Sequence, residues 1–372
     1  MNAWLKITGI VVGAGLGTLL LKKCAGLAIK YLERKIELQK RLNAEKLAEL
    51  APSLTIVHGR NLTADKVLEN EKIIEENPEN LKARCLLLGF YGRHKQNTIE
   101  KDKYKEHALW VIEHCPENPL ARECELNPLF FDTDEAYEKG KQLWLRHCDD
   151  PSANPRILNN AARYFLLSDR SIAKTLLLRG KSLEPDNAEW SDRLAHLYDL
   201  GLDGFNETEC AMIAFTEKQR AYQLRRSAIP FFRIEPPTGL PTLALKAGRV
   251  KDAISYSKLL LRAVPRLRRD AGLASECTHE AHTVLGRIAL INGDVRLAKS
   301  HLQHSSNIDG SPVLNSFGPN MDLAKELLEK NEIESVLRYL DRCEEFLKNE
   351  EKIPKWRSEI TEGSIPFDWR RD

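Results

Sequence analysis

Four histidines stand in two pairs of equal spacing, His279 with His282 and His301 with His304. On helices, each pair would put two imidazoles about one turn apart. Two such helices facing one another could offer the nitrogen ligands that zinc takes in a tetrahedral site. Glu280 beside His279 suggests a metalloprotease helix, but H-E-x-x-H needs its second histidine one residue later than His282. His282 also stands where a helical hairpin wants a large packing residue, so the expectation is a buried histidine and no metal. A looser set, His114, Cys115, Cys124, His147 and Cys148, has no ligand spacing. Cys24, Cys85, Cys210, Cys277 and Cys343 are equally scattered, and no C-x-x-C occurs. That pattern points to small buried residues in a reducing compartment rather than to disulfides. The chain has neither a glycine-rich phosphate loop with Lys and Ser/Thr nor a G-x-S-x-G elbow. The expectation is a protein that is not an enzyme, with no cofactor and no small-molecule substrate.

The elements that would carry these residues are helical. Leu, Ala, Glu, Lys and Arg, the strong helix formers, dominate the 372 residues, 42% hydrophobic and 30% charged. Such a chain can bury a large core and is not disordered. Lys plus Arg number 56 and Asp plus Glu 54, for a formal net charge of +2. That balance removes the electrostatic case for nucleic acid.

The N-terminus reads differently. Trp4 to Leu21 is an apolar run of 18 residues broken only by Lys6, short but sufficient for one transmembrane helix. Trp4 and Lys6 suit the interface at one end. A cleaved signal peptide ending near Gly15 or Gly17 is the alternative, although the apolar run continues to Leu21 before Lys22 and Lys23. The anchor is assigned to 1–26. Gly9, Gly13 and Gly17 recur every fourth residue, which would let a second helix approach closely and make a homodimer through the glycine face. Residues 27–60 form a charged linker helix, and the segment from Lys22 to Leu50 carries eight basic and four acidic residues. Positive charge stays on the cytoplasmic side, so a single-pass protein with its body in the cytoplasm is expected; the periplasmic side is the alternative.

Beyond Asn61 the pattern repeats. Ile157, Ala161, Tyr164 and Phe165 mark one amphipathic helix, Ala173, Leu177 and Gly180 a second, and Pro185 a stop. These positions resemble the tetratricopeptide repeat, with its W-x2-L-G-x2-Y, A-x3-F and P over about 34 residues; Asn160 departs from the leucine position. His282, Leu285, Gly286 and Ala289, followed by Gly293, Ala298 and Leu302, fit a second unit, with Gly310 where proline is usual. Gly248, Ala253 and Pro265 mark a third, with Ser257 in place of a large apolar residue. Leu323, Ala324, Leu327, Val336, Leu340 and Cys343 mark a fourth. Leu87, Leu88, Tyr91, Tyr104, Ala108 and Pro116 suggest an earlier, interrupted unit, and Trp190, Leu194, Ala195 and Tyr198 open another.

The resemblance implies an all-α, right-handed superhelical solenoid of helical hairpins, because each hairpin leaves an apolar side that only the next can cover. Repeats are expected over 61–228 and 242–350, separated by a proline-rich connection at 229–241 that contains Pro230, Pro236, Pro237 and Pro241. Phe231 and Phe232 in that connection are expected to pack against a repeat. The tail 351–372, with Trp356, Phe367 and Trp369, is expected to cap the last hairpin.

In tetratricopeptide domains the first helix of each hairpin lines a concave face that holds a protein or peptide. The resemblance carries that role to Asn159, Arg163, Glu280 and Arg287. The Lys/Asn/Arg clamp that some members use for chaperone tails is not matched, since Leu158, Ala162 and Thr283 hold comparable positions. A membrane-anchored, non-catalytic scaffold is therefore expected. The alternatives are a structural component of an envelope or organelle assembly, and a metal protein or enzyme using the His279/His282/His301/His304 hairpin.

Overall fold

A computed structural model describes residues 54–93, 98–124, 126, 135–150, 153–228, 235–267, 269–347 and 351–369. The regular elements among the described residues are all helical, with no strand. The anchor with Gly9, Gly13 and Gly17, most of the linker helix, and Pro230, Phe231 and Phe232 lie outside them. Among the described residues no helix is long and apolar enough to cross a membrane.

The chain divides into two compact units, 1–160 and 161–372. The first contains α1 (54–59), α2 (Ala64–Glu76), α3 (Leu81–Arg93), α4 (Thr98–His114) and α5 (Glu135–Asp149), each of α3 to α5 packed on the one before it. The division falls within α6 (Pro155–Phe165). The second unit continues with α7 (Arg170–Leu183), α8 (Ala188–Asp199), α9 (Glu207–Ala228), α10 (Leu240–Lys246), α11 (Val250–Ala263), α12 (Ala271–Ile291), α13 (Val295–Ser305), α14 (Pro312–Phe317), α15 (Asp322–Leu328), α16 (Ile333–Glu344) and α17 (Lys352–Thr361).

The apolar spacing read from the sequence explains the helices of the second unit. On α7, Ala173, Leu177 and Gly180 follow at intervals of four and three, and all are buried. Gly180 is where α8 comes closest: a Cβ there would run into the six-membered ring of Trp190. The missing side chain is therefore the socket for a buried indole, which donates from Nε1 to Glu184 Oε2 at 2.9 Å.

Three hairpins of this unit turn in the same way. Gly248, Gly293 and Asn331 follow α10, α12 and α15 with φ of 70°, 79° and 60°. Each donates its N–H three residues back, to Leu245, Leu290 and Leu328. The next residues, Arg249, Asp294 and Glu332, donate five back, to Ala244, Ala289 and Leu327. These paired bonds form the Schellman motif, which satisfies the last carbonyls of a helix through a left-handed residue. An apolar β-branched residue, Val250, Val295 or Ile333, then starts the returning helix.

The helices stack in chain order. Each first helix packs on its own return, α10 on α11, α12 on α13 and α15 on α16. Returns pack on the next first helix, α11 on α12 and α13 on α15, while α12 also touches α10 and α15, and α13 touches α16. Downstream, Leu302, Leu323, Leu327, Val336, Tyr339 and Leu340 form one buried cluster. Trp356 on α17 and Trp369 belong to it, with their rings 5.4 Å apart edge to face. Each such burial is worth about 2 kcal/mol or more. Phe367 instead stays 66% exposed.

Two departures from the repeat pattern find local explanations. Asn160 is buried and donates to the carbonyls of Pro116 at 2.8 Å and Asn118 at 3.1 Å, so in the first unit it ties α6 to the loop after α4. Ser257 is fully buried and returns its hydroxyl to Ala253 O at 2.8 Å, a bond that removes the cost of an unpaired buried hydroxyl.

Candidate functional site

The strongest concentration of polar chemistry in the second unit lies along α12 and the helices beside it. Trp190, Leu194, Leu197 and Tyr198 take the buried side of α8, which turns Asp192, His196 and Asp199 to the other side. These three residues, with Lys218 of α9, Thr242 of α10 and Glu280 of α12, line a cavity of about 310 Å³.

Glu280 has a structural task there. Helix α10 has only seven residues and begins after Gly239 (φ 81°), which has no side chain to cap it. Both carboxylate oxygens of Glu280 accept from Gly239 N–H, at 3.0 and 2.9 Å, and Thr242 Oγ1 donates to Oε1 at 2.9 Å. A carboxylate at a helix N-terminus satisfies free N–H groups and suits the dipole. Burial pushes the Glu280 carboxyl above its ordinary range, against the hydrogen bonds from Gly239 and Thr242 that hold it down. Burial likewise lowers Lys218, which the charge of Glu280 partly offsets. Lys218 Nζ lies 3.0 Å from Asp192 Oδ1, Arg225 pairs with the other oxygen of Asp192, and Lys246 reaches Asp199 at 2.6 Å.

Arg287 sits two turns beyond Glu280 on α12 and is also engaged. Its Nε donates to Glu326 Oε1 at 2.8 Å and its Nη1 to Asp322 Oδ2 at 3.1 Å, which binds α12 to α15. The structure therefore brings Glu280 and Arg287 to one helix and gives each an internal partner. Asn159 and Arg163 lie on α6, half-buried and exposed respectively. A second cavity, of about 350 Å³, lies at the start of α12 and is lined by Glu235, Asp270 and Glu276; Asp270 caps α12 through Leu273 N–H at 3.0 Å.

The histidine hairpin is real but divided. His279 is buried; it accepts from Asn320 N–H at Nε2 (2.9 Å), so its Nδ1–H is the donor to Ser305 O at 3.1 Å. Burial draws its pKa down to about 4. His282, His301 and His304 meet on the α12–α13 interface, and His279 is turned away from them. Among the described residues no group of three or more His, Cys, Asp and Glu is arranged to hold a metal. The looser set also separates. His147 Nε2 bonds the Ile112 carbonyl at 3.0 Å, His114 Nδ1 bonds Trp110 O at 2.9 Å, and the Cys124 thiol donates to Leu120 O at 3.4 Å. None of the seven described cysteines is in a disulfide, and six of them are buried.

Asp192, His196, Asp199, Lys218 and Thr242 were not among the sequence candidates. The signal for the α8 trio was available, since the side of α8 opposite Trp190, Leu194 and Tyr198 is fixed once those three are taken as buried. Lys218 and Thr242 gave no such signal, because their place depends on how three separate hairpins stack. No protein-family model matches the chain, and no curated protein matches it.

Proposed function

We propose that the chain is a membrane-anchored scaffold of the tetratricopeptide-like type, and that it holds a protein or peptide along the first helices of its second unit. In this reading the hairpins α10–α11, α12–α13 and α15–α16 are successive copies in a right-handed superhelical stack. Helices α8, α10, α12 and α15 then line the concave side. The observation that carries the reading is the triple recurrence of one turn, at Gly248, Gly293 and Asn331, each with the same pair of hydrogen bonds. The packing of first helix on next first helix adds support, since α12 touches both α10 and α15. Hairpins repeated in this way present a continuous surface made of many shallow contacts, which suits an extended partner better than a small substrate.

The polar lining supports binding over catalysis. Asp192, Asp199, Glu280 and Arg287 are each held by a neighbour. Such groups are rigid recognition points rather than poised acids or bases. Trp4 to Leu21 supplies the anchor in this proposal, and a fixed position at a bilayer would raise the local concentration of any partner there.

A photo-crosslinking amino acid tests the reading in cells. Placed at His196, beside the cavity, it should yield a discrete adduct with a partner. Placed at Lys258, exposed on the returning helix α11, it should yield none. Equal adducts from both sites, or adducts from Lys258 alone, would defeat the proposal. Deleting residues 1–26 should move the chain from the membrane fraction to the soluble one; an unchanged distribution would remove the anchor from the account.

A further inference from the structure

On the α12–α13 interface three imidazoles lie against one another. His282 Nδ1 and His301 Nδ1 are 2.9 Å apart, and the ring of His304 stacks on that of His282 with centroids 5.2 Å apart. His304 Nδ1 is 2.7 Å from Ser300 O, a contact that requires a proton on this nitrogen. Two imidazole nitrogens at hydrogen-bond distance need one proton between them. Two neutral rings supply it, one donating and one accepting, and a single imidazolium beside a neutral ring supplies it as well. With both rings protonated, two N–H groups point at each other and the contact is lost.

Among the described residues no opposite charge stands ready to absorb that second proton. The groups acting on His282 are His301, His304 and His279, and the group acting on His301 is His304; no carboxylate is among them. Charged residues on the surrounding helices are committed elsewhere. Glu280 of α12 holds the start of α10, and Arg287 holds Asp322 and Glu326 of α15. Lys299 of α13 pairs with Glu332, and Lys246 of α10 with Asp199. Asp252 of α11 pairs with Arg249, while Lys251, Lys258 and Arg262 of α11, Arg266 after it, Arg296 of α13, and Glu334, Arg338 and Asp341 of α16 are exposed. Half-buried Glu276 lines the other cavity, and Lys325 of α15 is half-buried and adds positive charge only. Near the cluster α15 presents Leu323, which meets position 286 together with the His301 Cβ.

We propose that His282, His301 and His304 form an acid-sensitive latch on the α12–α13 hairpin, closed while the facing nitrogens share one proton and opened when both rings become charged. The direction follows from linkage. Burial first, then the neighbouring imidazoles, lowers His282 from 6.5 to about 4, and burial and His304 lower His301. The unfolded or opened segment therefore takes up protons that the closed hairpin refuses, and closure loses stability as pH falls below about 6.5. The device is local, because α12 and α13 are joined by a short turn and can separate while other hairpins stay paired.

Hydrogen exchange on the full-length chain in detergent tests this. Between pH 7 and pH 5, after correction for intrinsic exchange chemistry, peptides covering 282–304 should open about tenfold more often per pH unit that one proton couples to. Peptides of α8 and α9 should change little. His301→Gln should remove the share of the acid response that the facing rings carry and leave the share of buried His279, while His58→Gln, on an exposed histidine of the first unit, should retain the whole. The proposal fails if His301→Gln keeps the full response. If that variant does not fold, the wild-type pattern decides: acceleration confined to 282–304 supports the latch, and uniform acceleration across the second unit, or none, overturns it.

Discussion

Two histidine-centred contacts, one in each unit, give way to acid at different pH because their neighbours differ. In the first unit His107 is buried between Arg84 and Glu71. Arg84 Nη1 lies 3.3 Å from His107 Nδ1, and since guanidinium only donates, that nitrogen accepts and the proton sits on Nε2, 3.6 Å from Glu71 Oε1. The Tyr91 hydroxyl donates to Glu71 at 2.8 Å, Lys103 lies 3.6 Å from it, and Arg84 covers the Trp110 ring at 3.8 Å. Its neighbours keep this carboxylate charged: His107 above all, then Tyr91 and Lys103, hold Glu71 at about 2 against the opposing effect of burial. In the second unit the charged or titratable groups acting on His282, among the described residues, are other imidazoles. Burial lowers His282 with no carboxylate among the groups acting on it, whereas Glu71 stands beside His107.

A series of substitutions sharpens the comparison, starting from a packing contact of the second unit. Gly180→Val should have the largest effect, a loss of about 3 kcal/mol in urea unfolding, because the new side chain collides with the buried Trp190 ring and no cavity receives it. A loss under about 1 kcal/mol would mean that α7 and α8 are not packed through this socket. Glu71→Gln should come next, at about 2 kcal/mol at pH 7, as the charge that answers His107, Tyr91 and Lys103 disappears. The lowered pKa of Glu71 gives a stability contribution that is full above about 4.5 and is lost as pH falls towards 2. Acid should therefore loosen α12–α13 below pH 6.5 while α2–α4 hold until below pH 4.5; exchange measurements that find the reverse order would undo the comparison. Glu280→Ala should cost about 1.5 kcal/mol through the uncapped start of α10, with faster exchange at Gly239 and Thr242 as its local sign.

Much of the second unit could be read from residues close together in the chain. Ala161, Phe165, Ala173, Leu177, Trp190 and Leu194 were all placed by spacing alone, and all are buried. What spacing could not supply was the identity of partners on other hairpins. Asn160 broke the pattern because its amide serves carbonyls more than forty residues back, at Pro116 and Asn118. The place of Glu280 on a first helix predicts a groove residue, yet its nearest partners, Gly239 and Thr242, stand at the start of α10. Arg287, chosen on the same grounds, turned out to be a bridge to α15. The histidine pairs were visible as pairs, but whether all four rings meet depends on Asn320, whose N–H draws His279 away. The turns at Gly248, Gly293 and Asn331 were the clearest sign of repetition, and only two of the three carry glycine, which hid the third.

That turn also offers the most direct test of the central claim, that these hairpins are copies of one unit. A Cβ at Gly248 or Gly293 would meet nothing within 4 Å, so alanine there should cost only the strain of a left-handed backbone, about 1 kcal/mol. Asn331 already bears that strain, and Asn331→Gly should be neutral or stabilising by up to about 1 kcal/mol. Gly248→Ala and Gly293→Ala should lower stability by equal amounts in equilibrium unfolding, and Asn331→Gly should not lower it. Costs at Gly248 and Gly293 that differ severalfold, or an Asn331→Gly variant as damaged as the alanine variants, would show that the three hairpins do not share one construction.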